Sequence, residues 1–71
     1  MKIQEIKTMI ESQTGFKLSV RNFKKGSMKG FVGLSIIGKK EFDFNYIRTL
    51  KDYLSMNGQK CIVNNYQLFI N

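Results

Sequence analysis

The chain of 71 residues contains no histidine, no tryptophan, no proline and only one cysteine, Cys61. Without histidine it has no imidazole that could act as a general base near neutral pH, and it lacks the commonest metal-binding side chain. A single cysteine cannot form an internal disulfide, so packing alone must hold the fold, which favours a reducing, cytoplasmic setting. These absences predict a protein without a metal or another cofactor.

Long apolar segments are also missing. The segment from Phe31 to Ile37 is interrupted by Gly33 and Ser35, and it is far shorter than the roughly 20 residues that a membrane span needs. The first residues alternate charged and apolar side chains without an uninterrupted apolar core, which argues against a secretory signal. We therefore expect no contact with a membrane.

Acidic residues are few and unevenly placed. Five acidic residues stand against twelve basic ones, which gives a formal net charge of +7. Between Ser12 and Lys40 there are seven basic residues and no acidic one, whereas the rest of the chain has five of each. The excess positive charge therefore belongs to one segment, which favours a nucleic acid or an acidic protein surface as partner.

Periodicity in the first half of the chain predicts a helix and then a hairpin. Apolar residues recur at helical spacing from about residue 2 to 14, and Gly15 stands where a left-handed residue would end the helix. From Phe16 the period changes to two, which is typical of a strand. Residues 24–30 contain three Lys and two Gly and predict the hairpin loop, with residues 31–37 as the return strand. The first strand would have an apolar face, Phe16, Leu18, Val20 and Asn22, and a basic face, Lys17, Ser19, Arg21 and Phe23.

The second half repeats this order of elements. Asp43 is a suitable N-cap for a second helix, and Phe42 before it can pack against Ile47. The apolar stripe of that helix would be Ile47, Leu50 and Leu54, with Tyr46 and Tyr53 beside it. Asn57 and Gly58 would end the helix. Residues 60–64 and 66–70 alternate again, with Asn64 and Asn65 as the tight turn between them.

These elements predict one α+β domain, 1–71, in the order helix, hairpin, helix, hairpin (αββαββ). The sheet would have four mostly antiparallel strands with both helices on one face, because each amphipathic helix needs an apolar surface to cover. Segments 3–37 and 44–71 form a possible internal αββ repeat, although a shared fold unit explains several of the matches equally well. The matching sets are Ile6 to Met9 with Ile47 to Leu50, and Gly15, Lys17, Val20, Asn22 and Phe23 with Gly58, Lys60, Val63, Asn65 and Tyr66.

The uncovered face of this sheet is expected to be unusually apolar. The better inward-facing set of the second hairpin is Cys61, Val63, Tyr66, Leu68 and Ile70. Contiguous exposed apolar surface marks interaction sites, so a second copy of the chain, another protein or stacked nucleic-acid bases would cover the outer face. A homodimer through this face is therefore possible. The apolar residues left on the outer face are Phe23, Phe31, Ile37, Ile62 and Phe69.

Catalysis is poorly supported by the residues present. Cys61 lies in an apolar strand, where a thiol is normally inert, and Asp43 is explained by helix capping. The Lys25-Gly26-Ser27 sequence lacks the order and the strand-to-helix setting of a phosphate-binding loop. We therefore predict that the protein is not an enzyme.

The basic segment carries the positive signal for function. Lysines in a glycine-rich hairpin can follow a phosphate backbone, and neighbouring phenylalanines add the mixture of basic and aromatic side chains that single-strand binders use. The alternative is a solvated hairpin whose phenylalanines belong to a dimer interface. The candidate contact residues are Lys17, Arg21, Phe23, Lys24, Lys25, Lys29, Phe31, Lys39 and Lys40.

The segment from Phe16 to Arg21, between a short amphipathic helix and a hairpin returning through residues 33–36, resembles a small domain associated with the large polyvalent proteins of phages and conjugative elements. The resemblance covers roughly residues 3–37 and implies a mobile-element origin, without assigning a role to any residue. It raises the expectation of a small phage protein that inhibits host defence, as anti-CRISPR proteins do.

Two functions therefore remain open at the level of sequence. The first is a non-enzymatic nucleic-acid-binding protein that uses the lysine- and glycine-rich hairpin. The second is an inhibitor from a phage or mobile element whose hairpin occupies an acidic surface of a host defence protein. The first predicts intrinsic affinity for nucleic acid, and the second predicts none at physiological salt.

Overall fold

A computed structural model describes residues 2–38 and 40–71. It contains two α-helices and a four-stranded antiparallel sheet, which confirms the predicted α+β class. The elements are α1 (Ile3–Thr14), β1 (Leu18–Asn22), β2 (Val32–Ile36), α2 (Phe44–Met56), β3 (Cys61–Val63) and β4 (Gln67–Ile70).

Helix α1 follows the predicted bounds to within one residue. Ile6 and Ile10, one turn apart, are its buried side chains, as expected for the inward stripe of an amphipathic helix. The helix ends at Gly15, whose N–H donates to the Glu11 carbonyl at 2.9 Å. The glycine in the sequence therefore marked the end of the helix correctly.

Helix α2 begins at the predicted cap. The Asp43 carboxylate accepts a hydrogen bond from the Tyr46 N–H at 3.0 Å, which satisfies one of the amide groups left without a partner at a helix start. The predicted stripe of Ile47, Leu50 and Leu54 is buried, and Asn57 caps the C-terminus.

The strand order in the sheet is β1-β2-β4-β3, so β2 and β4 are central and β1 and β3 form the edges. Strands β2 and β4 pair antiparallel with Leu34 opposite Leu68. Leu18 lies opposite Ile36 in the first hairpin, and Cys61 lies opposite Ile70 in the second.

One hydrophobic cluster contains buried residues of both helices together with the buried residues on one side of the sheet. In β2 and β4 alternate residues, such as Leu34 and Leu68, are fully buried, which follows from the two-residue period of a strand. We call this side the core face. The buried members of the cluster are Ile6, Ile10, Leu18, Leu34, Ile36, Phe42, Ile47, Leu50, Leu54, Leu68 and Ile70.

The turn of the second hairpin lies one residue later than predicted. The Asn64 side-chain oxygen accepts hydrogen bonds from the N–H groups of Tyr66 and Gln67, both at 2.8 Å. This side-chain closure makes Asn65 and Tyr66 the loop residues, whereas the prediction placed the turn at Asn64 and Asn65. Tyr66 is consequently 51% exposed and is not an inward-facing strand residue.

The apolar face of the first strand is also less buried than predicted. Phe16 lies before β1 and is 37% exposed, and Val20 within β1 is 44% exposed. The reason is position in the sheet: β1 is an edge strand, and Leu18 is its only buried residue. The core is centred on β2 and β4, so the far end of β1 extends beyond the cluster.

Candidate functional site

Residues 24–30 form a glycine-containing loop between β1 and β2, which we call the basic hairpin. Phe23 and Phe31 pair at its neck, where the Phe23 N–H donates to the Phe31 carbonyl at 3.1 Å. Gly26 and Gly30 have φ angles of 82° and 90°, a left-handed conformation that glycine adopts without steric cost. The two glycines therefore allow the chain to reverse over a loop that also contains three lysines, Ser27 and the half-buried Met28.

The basic hairpin presents its cations to solvent. Lys24, Lys25 and Lys29 are all exposed. Their backbone is held by short contacts within the loop, since the Lys29 N–H donates to the Gly26 carbonyl at 3.2 Å and the Gly30 N–H donates to the Phe23 carbonyl at 3.0 Å. Three lysine side chains thus extend from a closed loop.

The side of the sheet opposite the core face we call the open face. One row of neighbouring residues crosses all four strands, and a second, more polar row lies beside it. The first row is Arg21, Gly33, Phe69 and Ile62, and the second is Ser19, Ser35 and Gln67.

An aromatic cluster covers the middle of the open face near the neck of the basic hairpin. The rings of Phe23 and Phe69 meet edge to face, with centroids 5.4 Å apart, a favourable arrangement for two aromatic rings. The Arg21 guanidinium lies 5.1 Å from the centroid of Phe23, within the range of a cation–π interaction. A Cβ atom on Gly33 would lie only 2.8 Å from Cε2 of Phe23. The glycine thus provides the space that the Phe23 ring occupies.

The structure brings most of the predicted contact residues together and separates the others. Arg21, Phe23, Phe31 and the three hairpin lysines lie at one end of the first hairpin. Lys17 and Lys40 lie at the other end, where the Lys40 Nζ is 5.1 Å from the Phe16 ring centroid. At about 3.3 Å per residue of strand, Lys17 and Lys24 are roughly 20 Å apart. Lys39 lies outside the described residues.

The acidic residues of the described chain lie outside the strands and outside the basic hairpin. In the part of the chain that the structure describes, the four strands contain no acidic residue; Glu5 and Glu11 lie in α1, Asp52 in α2, and Glu41 and Asp43 before α2. The described strands and residues 24–30 therefore contribute basic side chains and no acidic ones to this surface.

Glu11 connects α1 to the edge of the sheet. Its carboxylate accepts a hydrogen bond from the Leu18 N–H at 2.8 Å and forms an ion pair with Lys7 at 3.2 Å. The hydrogen bond from Leu18 and the contact with Lys7 hold the pKa of the Glu11 carboxyl below its ordinary value. This carboxylate therefore fixes the start of β1 and is committed to the fold.

The sequence prediction missed two residues of the aromatic cluster as parts of the site. The sequence pattern places Phe69 on the outer face but not among the contact residues, and it marks Gly33 only as an interruption of an apolar segment. A glycine inside a strand often marks a close approach of another group, which was the available signal for Gly33. The pairing of β2 with β4 is a long-range contact that periodicity does not reveal.

Within residues 2–38 and 40–71 there is no group of three or more His, Cys, Asp or Glu side chains that could hold a metal ion. Cys61 is half-buried. In the groove between the helices, the Tyr46 hydroxyl donates to the Gln13 side chain at 2.6 Å, and burial raises the pKa of Tyr46. A raised pKa keeps this phenol protonated near neutral pH, the opposite of what a phenolate base or nucleophile requires.

Neither helix of the described residues has the length and apolar character needed to cross a membrane. Comparisons of the chain with protein-family models, with curated proteins and with solved structures gave no significant match. The resemblance to a small domain of mobile-element proteins therefore stays a prediction.

Proposed function

We propose that the protein is a small, non-enzymatic nucleic-acid-binding protein whose basic hairpin contacts the phosphate backbone. In this proposal the fold is αββαββ, with both helices on the core face and the open face left to the partner. One observation carries the proposal: three exposed lysines extend from a glycine-containing loop beside a sheet surface without acidic side chains.

The basic hairpin is suited to phosphate groups because of both its charges and its backbone. Lys24, Lys25 and Lys29 can each neutralise a phosphate and release the counterions bound to it, which supplies most of the affinity of non-specific binding. Gly26 carries no side chain that would keep a phosphate away from the main chain, so the loop can also offer an N–H group there, whereas the Gly30 N–H donates to the Phe23 carbonyl.

The positive surface continues beyond the loop. Arg21 lies on the open face next to the hairpin neck, and Lys17 and Lys40 lie at the far end of β1. A backbone following β1 would meet cations over a distance of roughly 20 Å. This supports contact with several successive phosphates rather than with one isolated anion.

An acidic protein surface could bind the same basic side chains. The alternative function is therefore that of an inhibitor from a phage or mobile element that binds a host defence protein. It predicts that the purified chain has no affinity for random nucleic acid at physiological salt. A homodimer through the open face is less favoured, because it would bring Arg21 and the basic hairpin of two copies together without an acidic side chain on either sheet. Light scattering at high concentration tests that state directly.

The test of this function uses two triple variants of equal charge. Lys24→Ala, Lys25→Ala and Lys29→Ala remove the hairpin cations, and the matched control Lys2→Ala, Arg48→Ala and Lys51→Ala removes three exposed cations in or next to the helices. Binding to labelled random DNA and RNA is measured by fluorescence anisotropy at several salt concentrations.

The hairpin variant should lose affinity by more than about tenfold at low salt, and the slope of log affinity against log salt should fall by about 2 on single strands. The control should retain most of its affinity, because its lysines and arginine lie away from the interface. Equal losses in both variants, or unchanged binding in the hairpin variant, would contradict the proposal.

A further inference from the structure

We propose that the open face binds single-stranded nucleic acid, with bases stacked on Phe69 and its neighbours while the basic hairpin holds the backbone. The inference rests on the proposed function and adds the class of nucleic acid and the surface that contacts the bases. It follows from four observations: the composition of the two rows on the open face, the width of the sheet, the absence of acidic side chains from the described strands, and the position of the hairpin.

The first row provides apolar and cationic surface for bases. Phe69 lies in the centre, half-buried, with the 48% exposed Ile62 as its direct neighbour on β3. On the other side the Phe23 ring lies over Gly33, and the row continues to Arg21, whose guanidinium lies 5.1 Å from the centroid of that ring. Bases stack on aromatic rings and on guanidinium groups irrespective of sequence, because each base has a π face.

The second row provides hydrogen-bonding groups beside the stacking surface. The Ser19 and Ser35 hydroxyl oxygens lie 2.9 Å apart, and Gln67 is the neighbour of Ser35 on β4. Hydroxyl and amide groups both donate and accept hydrogen bonds, so they can pair with the edges of unstacked bases. A stacking row beside a polar row is a surface for bases rather than for phosphates alone.

The width of the sheet favours a single strand over a duplex. Four strands at about 4.8 Å spacing are roughly 14 Å across, whereas the major groove of B-DNA is about 12 Å wide and admits a helix or a two-stranded ribbon. In a duplex the π faces of the bases are covered by their neighbours, so Phe69 could not reach them. A single strand exposes both its bases and its backbone to a flat face.

The charge distribution selects this occupant over a second copy of the chain. The described strands contain no acidic residue, and the adjoining loop contributes Lys24, Lys25 and Lys29. Two such surfaces repel each other, whereas a polyanion is attracted and steered to both the face and the hairpin. Phe23, packed against Phe69, links the stacking surface to the hairpin.

The test compares labelled oligothymidylate and oligouridylate of about twelve nucleotides, a length within the site sizes of such platforms, with a duplex of the same length. The proteins are the unsubstituted chain, Phe69→Leu, the hairpin triple variant, and the control Tyr53→Leu. Leucine keeps an apolar side chain at position 69 and removes the ring, while Tyr53 is a 45% exposed aromatic residue of α2. Circular dichroism and thermal unfolding verify that each variant is folded.

We expect the single strands to bind at least about tenfold more tightly than the duplex, and Phe69→Leu to lose about tenfold on single strands with no change on the duplex. Tyr53→Leu should match the unsubstituted chain. If Phe69→Leu fails to fold, amide chemical shifts of the unsubstituted chain serve instead, and those of Ser35, Ile62 and Phe69 should move on titration with oligouridylate. Because thymine also carries a 5-methyl group, oligodeoxyuridylate is compared with oligouridylate to measure the contribution of the 2′-hydroxyl.

The two proposals fail in different ways. If binding depends on the hairpin lysines but is equal for duplex and single strand, and Phe69→Leu binds normally, the open-face inference is wrong and the proposed function stands. Shifts confined to the helices, or a dimer that hides the open face and excludes the oligonucleotide, would also overturn the inference. If the hairpin variant binds as well as the unsubstituted chain, the proposed function itself is wrong.

Discussion

The two helix–hairpin halves of the molecule share their strand pairing and differ in their loops. Leu18 opposite Ile36 in the first hairpin corresponds to Cys61 opposite Ile70 in the second, and the next two pairs correspond in the same way. The first hairpin is closed by the seven residues 24–30, whereas the second is closed by Asn65 and Tyr66. The shared register places apolar residues of both hairpins in the core. The additional residues of the first loop carry three exposed lysines and contribute no buried side chain.

The pairing between the halves is symmetric about one central pair. Leu34 lies opposite Leu68, and these two residues correspond to each other in the two halves. In the same way Gly33 corresponds to Gln67, and Ser35 corresponds to Phe69. The pair Gly33–Phe69 is therefore the counterpart of the pair Ser35–Gln67. The offset between β1 and β3 is also the offset at which Gly15, Lys17 and Val20 match Gly58, Lys60 and Val63 in the sequence. The internal repeat 3–37 and 44–71 stays a prediction. If it is a true repeat, the strand pairing gives the alignment of its two copies.

The largest expected effect tests whether the two halves contribute equally to the core. Leu34 and Leu68 are both fully buried, so Leu34→Ala and Leu68→Ala should each lower the free energy of unfolding by about 2–5 kcal/mol. Urea denaturation measures the two losses, which should agree to within about 1 kcal/mol if the central pair is symmetric in energy as well as in position. A small loss at one residue and a large loss at the other would show that one half dominates the core.

A smaller effect concerns a position where the halves differ. Gly33 and Phe23 of the first half correspond to Gln67 and Tyr66 of the second, where Tyr66 is 51% exposed. Gly33→Ala should destabilise the protein by about 1 kcal/mol, because the new Cβ displaces the Phe23 ring from Phe69.

The same substitution in a Phe23→Ala background should have the opposite sign. Once the ring is absent, alanine fits into β2 and restricts the unfolded chain more than glycine does, which stabilises by up to about 1 kcal/mol. Thermal or urea unfolding of the four proteins gives the double-mutant cycle. A loss of stability of equal size in both backgrounds would mean that the Phe23 ring does not require the glycine.

The smallest expected effect is a difference in pH dependence between the halves. Glu11, four residues before Gly15, holds the Leu18 N–H through a carboxylate, whereas the residue four before Gly58 is the buried, apolar Leu54. The pKa of Glu11 is lowered in the folded protein from an ordinary value of 4.5. Its contribution to stability is therefore fully present above pH 4.5 and is lost as the pH falls through the lower folded pKa.

Urea denaturation between about pH 3 and pH 7 measures this contribution. Glu11→Gln should be less stable than the unsubstituted chain near neutral pH, and the gap should narrow as the pH falls. Asp52→Asn, which changes an exposed carboxylate of α2, is the control and should leave the acid dependence in place. A gap that stays constant with pH would show that the Glu11 carboxylate does not support the fold by this contact.

Much of the fold could be predicted because its signals are local. The Asp43 cap, Gly15 and the spacing of Ile47, Leu50 and Leu54 depend only on neighbouring residues, and the helices begin and end close to the predicted positions. The second turn was displaced because the Asn64 side chain, rather than the backbone conformation of Asn64 and Asn65, decides which residues form the loop.

The candidate site was predicted only where it follows the chain. The basic hairpin and Arg21 are adjacent in sequence, so the distribution of charged residues along the chain predicts them. The contact of Phe23 with Phe69 and the space above Gly33 depend on the pairing of β2 with β4, and residues 33 and 69 are far apart in sequence. The distance of Lys17 and Lys40 from the basic hairpin likewise depends on the positions of the strands in the sheet.

We propose that the long basic loop of the first half makes the nucleic-acid interface, and a chain without this loop provides the direct test. Residues 24–30 are replaced with a two-residue Asn-Gly turn, which suits the paired neck of Phe23 and Phe31 and makes the first hairpin like the second. We predict that this chain keeps its circular dichroism spectrum and cooperative unfolding but loses more than about tenfold in affinity for oligouridylate at low salt. A folded variant that binds as tightly as the unsubstituted chain would show that residues 24–30 do not form the interface.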